Sequence, residues 1–176
     1  QISELYFFVG HSRISAMAGR QKIHTLMCNH IVEAEKTKPI VGILTSKVEL
    51  RDEIIKELSG YFGAADIIGE WIPFEHTNYY EDEMGKNLKR SFVSFEKLIQ
   101  PFRANDFKPH TAKIEDKFRK NGKRTINLDA GYLDANKVVL MTGKHGGHKI
   151  AVSDGVWADM LLWYNKGWVA FPWAFP

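Results

Sequence analysis

The stretch Pro39-Ile-Val-Gly-Ile-Leu44, followed by Ser46 and by the spaced apolar residues Leu50, Ile54 and Leu58, decides how the chain is read. The short apolar run Ile40 to Leu44 has the form of a buried strand. Ser46 with Glu49 three residues on spells a capping box. Leu50, Ile54, Leu58 and Tyr61 or Phe62 then recur at helical spacing, so a helix is expected as far as Gly63.

Outward from that unit the pattern continues. Asp66 to Phe74 reads as a strand whose Pro73 marks an edge, and Leu88 to Ile99 as a strand leading to a turn at Pro101. Thr111 is expected to cap a second helix, with Ile114 and Phe118 facing inward and Gly122 ending it, and Arg124 to Leu128 to form a fourth strand. The order strand, helix, strand, strand, helix, strand is that of the split βαβ, ferredoxin-like layout, although other layouts share these elements. Lys137 to Met141 fits helix or strand, and His148 to Val152 reads as a strand. A hairpin closes the chain: Val156 to Tyr164, the turn Asn165-Lys-Gly167, and Trp168 to Trp173, with Gly167 expected in the left-handed position. The expected class is α+β, a ferredoxin-like βαββαβ core extended by a Trp-rich antiparallel hairpin, as a single domain over residues 39–176.

Composition narrows the function. The 176 residues are 44% hydrophobic and carry one cysteine, which argues against a disordered chain and a disulfide scaffold. Lys and Arg number 24 against 21 Asp and Glu, a formal charge of +3, too small for a protein that holds a phosphate backbone, so nucleic acid is not an expected partner. No apolar run is long enough to span a bilayer, so no membrane partner is expected. The single Cys28 fits a reducing compartment, and the expected location is the cytoplasm.

Chemistry is expected in three places. Strand alternation puts Asp159 on one face with Trp157, Leu161 and Trp163, where a carboxylate must find a partner, reach a cleft or point to water. Asn127 and Asp129 share a face at the end of the fourth strand, ahead of Gly131, where an Asx-type turn is the plainer alternative. Gly143-Lys-His-Gly-Gly-His-Lys149 packs lysines, histidines and glycines as an anion-binding nest does, although a solvated hairpin loop has the same composition. It is not a Walker A loop, and His145 with His148 is a bare pair without a spaced third metal ligand. The acidic run Glu81-Asp-Glu83, followed by Lys86, Lys89 and Arg90, reads either as a solvated helix face or as the source of one further carboxylate. The chain holds no Gly-x-Ser-x-Gly, Cys-x-x-Cys or His-Glu-x-x-His pattern.

From Pro39 to Pro176 the chain resembles a bacterial and archaeal family known as domain of unknown function 4416. The resemblance is carried by Pro39-Ile-Val-Gly-Ile-Leu44, Tyr79-Tyr-Glu-Asp-Glu-Met-Gly85, Leu88-Lys-Arg-Ser-Phe92, Asn127-Leu-Asp-Ala-Gly-Tyr-Leu133, His148-Lys-Ile150, Asp154-Gly155, Trp173 and Pro176. The chain departs from the family pattern at Ala130, Lys149, Asp159 and Ala174-Phe175, keeping the charge type at Lys149 and Asp159. The resemblance implies no established activity.

The residues lead to two expectations of different kinds. In the first, the protein binds or hydrolyses a small anionic, phosphate-bearing, nucleotide-like ligand. Arg90, Lys137, Lys144, His148 and Lys149 would hold the anion, and Glu83, Asp129 and Asp159 would serve as catalytic carboxylates or hold a divalent cation. In the second, the protein is a non-enzymatic interaction module whose Trp-rich hairpin meets a protein partner.

Residues 1–38 lack the patterning of the body, and Val32 to Pro39 resembles a solvated lead-in to the first strand. Translation is expected to start near Val32, or the first 31 residues to form a disordered extension. Deleting residues 1–31 should move the Tm by less than about 5 °C, a kcal/mol-scale threshold for a domain of this size. A larger fall in a thermal melt would show that they pack on the core.

Overall fold

The computed structural model describes residues 32–75 and 77–174, and the expectation for residues 1–31 lies outside them. Among the described residues the protein is α+β, with nine strands in one antiparallel sheet and three α-helices. The strands are β1 (Lys38–Thr45), β2 (Ala65–Ile68), β3 (Ile72–Pro73), β4 (Lys89–Phe95), β5 (Ile126–Leu133), β6 (Lys137–Thr142), β7 (Ile150–Ser153), β8 (Val156–Tyr164) and β9 (Trp168–Ala170). The helices are α1 (Arg51–Phe62), α2 (Glu81–Met84) and α3 (Phe107–Lys117). The sheet runs β2-β4-β1-β5-β6-β8-β7, with β3 also on β4 and β9 also on β8. Ahead of β1, Thr37 pairs with Ile99 through two backbone hydrogen bonds of 2.7 and 2.9 Å, so ordered pairing starts before Pro39.

One face of the sheet carries α1 and α3. Alternation sends Val41 and Ile43 of β1, Val93 and Phe95 of β4, and Ile126, Leu128 and Ala130 of β5 to that side, where they meet Ile54, Leu58 and Phe62 of α1 and Phe107 and Ile114 of α3. Burying side chains of this size contributes about 1.5–3 kcal/mol each. The opposite face has two separate apolar clusters. Ile40, Leu133, Val138, Leu161, Leu162 and Ala174 form one, and Leu44, Phe74, Met84 and Leu88 the other. Between them β1 offers only Gly42, opposite Asp129 of β5 and Phe92 of β4.

Several local expectations are corrected. The Ser46 capping box does not form: a 3-10 turn, Val48–Leu50, leads into α1, and the Ser46 hydroxyl donates instead to the Met84 carbonyl at 2.7 Å, tying α2 to the end of β1. Thr111 lies inside α3 rather than at its start, because the 3-10 turn Pro101–Asp106 begins the helical run earlier. The strand expected over 66–74 breaks into β2 and β3 around Gly69, whose carbonyl accepts from Arg51 Nη2 and Ser91 Oγ. At the closing hairpin Lys166, with φ 57°, takes the left-handed position expected of Gly167. An irregularity in the β6–β8 register between Val138 and Val139 sets Leu162 opposite Val138 and Trp163 opposite Lys137. Trp163 therefore leaves the face of Asp159, which lies opposite Leu140.

The largest correction concerns Gly131. Residues 127–132 do not turn; β5 runs straight through them, and Gly131 pairs with Leu140 of β6. A Cβ built on Gly131 would stand 2.1 Å from the Val139 carbonyl oxygen and 2.8 Å from Leu140 Cα, so the two backbones approach closely only because position 131 has no side chain. Gly131→Ala should destabilise the fold by about 2–3 kcal/mol or more through forced backbone displacement. Gly60→Ala, on the exposed side of α1 with nothing within 4 Å of the added methyl, should stabilise it by about 0.5–1 kcal/mol. Urea unfolding of the two variants checks both signs.

Candidate functional site

Strands β5 and β6 pair at three positions only, Gly131 with Leu140, Tyr132 with Val139 and Leu133 with Val138. Beyond Gly131 no β5–β6 pairing continues, although β5 remains on β1 down to Ile126. The backbone of Leu128 then needs other partners, and α3 supplies them: Glu115 Oε1 accepts from Leu128 N at 2.7 Å, and Lys108 Nζ donates to Leu128 O at 3.3 Å. Lys108 and Glu115 also pair with each other at 3.2 Å. This ion pair stands in for the missing strand and meets the hydrogen-bond requirement of a buried peptide.

The opening is a cleft of about 340 Å³ whose walls include Lys108, Arg124, Asn127, Asp129, Leu140, Lys144, His148, Lys149, Asp159, Trp173 and the paired tyrosines Tyr79 and Tyr80. A volume of this order suits a small molecule. On the β8 side Asp159 is 9% exposed, with Lys149 Nζ 3.2 Å from Oδ2 and His148 Nε2 3.5 Å from Oδ1. The His148 ring stacks on Trp173, which stacks in turn on Phe171, with centroid separations of 4.6 and 4.8 Å; Trp173 Nε1 donates to the Met160 carbonyl at 3.0 Å. The imidazole is thus positioned by an aromatic stack anchored to β8 itself.

On the β5 side Asp129 is half-buried. Its charge, after burial, is the second cause that pushes the Tyr80 hydroxyl above its ordinary value. Two residues earlier on the same strand face, Asn127 is 5% exposed and accepts from Arg124 Nη1 at 3.2 Å, while its Nδ2 is buried without a hydrogen-bond acceptor. Arg124 Nε and Nη2 donate to the two carboxylate oxygens of Glu83 at 2.9 and 2.7 Å, a fork geometry that holds α2 against β5. At the mouth, Lys144 Nζ lies 4.8 Å from the centre of the exposed Tyr79 ring.

Five of the eight residues expected from sequence, Asp129, Lys144, His148, Lys149 and Asp159, line this one cleft. The other three do not. Glu83 is engaged with Arg124 behind the wall. Arg90 is buried with its guanidinium 4.6 Å from the Phe74 ring centre. Lys137 sits at the far end of β6, paired with Asp134. Sequence reasoning assigned no role to Arg124, Lys108 or Glu115. Glu115 did leave a signal, an acidic residue four positions after Thr111 on the buried stripe of α3. Among the described residues no group of three His, Cys, Asp or Glu side chains could hold a metal ion, and no helix is long and apolar enough to cross a membrane.

The fold and cleft define an α+β protein with a charged cleft at a strand divergence. The chain belongs to the family described as Domain of unknown function (DUF4416), whose model matches residues 35–176. No curated protein and no solved structure matches it.

The Glu83–Arg124 pair sets an acid limit. Hydrogen bonding from Arg124 leads the causes that hold the Glu83 carboxyl below its ordinary range, against a smaller opposing effect of burial. A carboxyl depressed in the folded state stabilises the fold above its unfolded value of about 4.3 and loses that contribution as pH falls through the lower folded value. Glu83→Gln should cost about 1 kcal/mol at neutral pH for this partly exposed pair and almost nothing in acid, measured as urea midpoints across pH 3–7.

Proposed function

We propose that the cleft binds a small phosphate-bearing anion, and that Asp129 and Asp159 are placed to act as acid or base if the bound ester is hydrolysed. What carries this reading is the meeting of Lys144, His148 and Lys149 from the loop after β6 with Arg124 and Asn127 from the start of β5 in one 340 Å³ cleft. Cationic side chains and an amide donor converging on one cleft are the chemistry that phosphate requires.

We also read the first half of the sheet as ferredoxin-like. The order β5-β1-β4-β2, with α1 following β1, α3 preceding β5 and both helices packed in one core, supports this. The single cysteine supports a cytoplasmic setting, and the family resemblance a bacterial or archaeal source.

A second reading has an observation of its own. Trp163, Tyr164 and Val169, where β8 meets β9, are 43, 50 and 43% exposed, which suits contact with a protein partner. The two readings separate in a thermal-shift screen of inorganic phosphate, nucleotides and sugar phosphates, with and without divalent ions. Near a hundredfold excess over Kd, a bound ligand should raise stability by about 2.7 kcal/mol, a rise of several degrees in Tm. Lys144→Ala, on an exposed loop, should change the unliganded stability by less than about 0.5 kcal/mol and abolish that rise. No stabilisation of the unaltered protein, or the same stabilisation of the Lys144 variant, would favour the hairpin surface.

A further inference from the structure

Taking the cleft to be a phosphate site, we infer that its ligand is a zwitterion, a phosphate monoester whose organic part carries a primary ammonium group. The reason is which charges are already matched. Among the described residues, Lys108 lies 3.2 Å from Glu115, Arg124 2.7 Å from Glu83 and Lys149 3.2 Å from Asp159. Among the described residues Lys144 has no carboxylate within 4 Å, and its ammonium lies 4.8 Å from the centre of the Tyr79 ring. Of the two carboxylates in the wall, Asp159 is matched by Lys149, whereas Asp129 accepts no hydrogen bond and has no cation within 4 Å among the described residues, although it is half-buried. The cleft therefore holds one uncommitted positive charge and one uncommitted negative charge, and the two do not pair with each other.

A simple anion drawn into the cleft by Lys144 would share it with the unmatched charge of Asp129. Like charges drawn together in a partly desolvated cleft repel strongly. A ligand with an anionic end and a cationic end satisfies both. Its phosphate would also offer an acceptor to Asn127 Nδ2, the buried donor two residues from Asp129 that has none among the described residues. Burial, and after it the charge of nearby Asp129, raises the Tyr80 hydroxyl above its ordinary value.

The test is isothermal titration of the full chain with a short series of ω-aminoalkyl phosphates of graded length, against n-alkyl and ω-hydroxyalkyl phosphates of matching length. At the best length the amine should bind about tenfold or more tightly than either neutral counterpart, the scale of one charge-assisted hydrogen bond. Asp129→Asn should remove that preference and leave alkyl phosphate binding as tight or tighter. Because the Asp129 carboxylate accepts no hydrogen bond among the described residues, the amide variant should melt with the unaltered protein. Equal binding of amine and alkyl esters, or a preference that survives Asp129→Asn, overturns the zwitterion assignment while leaving the phosphate site standing. Failure of every phosphate compound to bind the unaltered protein sinks the phosphate reading and this one with it.

Discussion

Everything that could be chemistry in this protein depends on how far β5 and β6 are allowed to pair. Gly131 lets the two backbones meet, and three residues earlier on β5 the pairing has been replaced by the Lys108–Glu115 ion pair bound to both polar groups of Leu128. A full ladder would close the space that Asp129, Lys144 and Asp159 now share. A divergence with an unsatisfied Leu128 peptide would cost about 1–3 kcal/mol for each buried polar group left unpaired. Glu115 is 5% exposed and is itself expensive to bury, so its partners, Lys108, the Leu128 amide and, at 3.7 Å, Arg124, are what make the opening stable.

The same economy governs the walls. Each apolar cluster on the open face is built from one end of the sheet: the C-terminal strands cover Ile40 and Leu133, and the α2 segment covers Leu44. The gap between them falls where β1 has Gly42 and β5 has Asn127 and Asp129, so neither strand has an apolar side chain there that calls for cover. Bidentate Arg124–Glu83 bonds and the Ser46–Met84 bond hold α2, and with it Tyr79 and Tyr80, over that gap. Most of the charge in and around the cleft is consumed in this scaffolding. The function must rest on what is left over.

The strands and helices were largely legible. Ile54, Leu58 and Phe62 line the buried side of α1 as their spacing demands, Gly63 with φ 93° ends it, and β8 spans Val156–Tyr164 as expected. Starts were less legible. Ser46 and Thr111 are good caps by composition, but a hydroxyl donates to whichever carbonyl the folded chain brings near, and here these are Met84 and Lys108. The site divides in the same way. Asp159 stood out because a carboxylate on a strand of apolar residues is costly without a purpose, Asp129 because it shares a face with Asn127 at an expected strand end, and the Gly143–Lys149 loop because of its crowding of basic and glycine residues. Glu83, Arg90 and Lys137 carry charges as suggestive as theirs, yet each is engaged elsewhere.

The α+β class, the family, the faces of the main strands and the residue types that a charged site would need are all written along the chain, because alternation and helical period are properties of consecutive residues. Which of those residues meet is a matter of how distant segments pack. Asp129 and Asp159 stand thirty positions apart, and what joins them is the length of the β5–β6 pairing together with the β6–β8 register that puts Asp159 opposite Leu140. Pairing length and register follow from contacts between distant segments, a missing side chain at Gly131 and a buried ion pair from α3, none of which is visible along one stretch of chain.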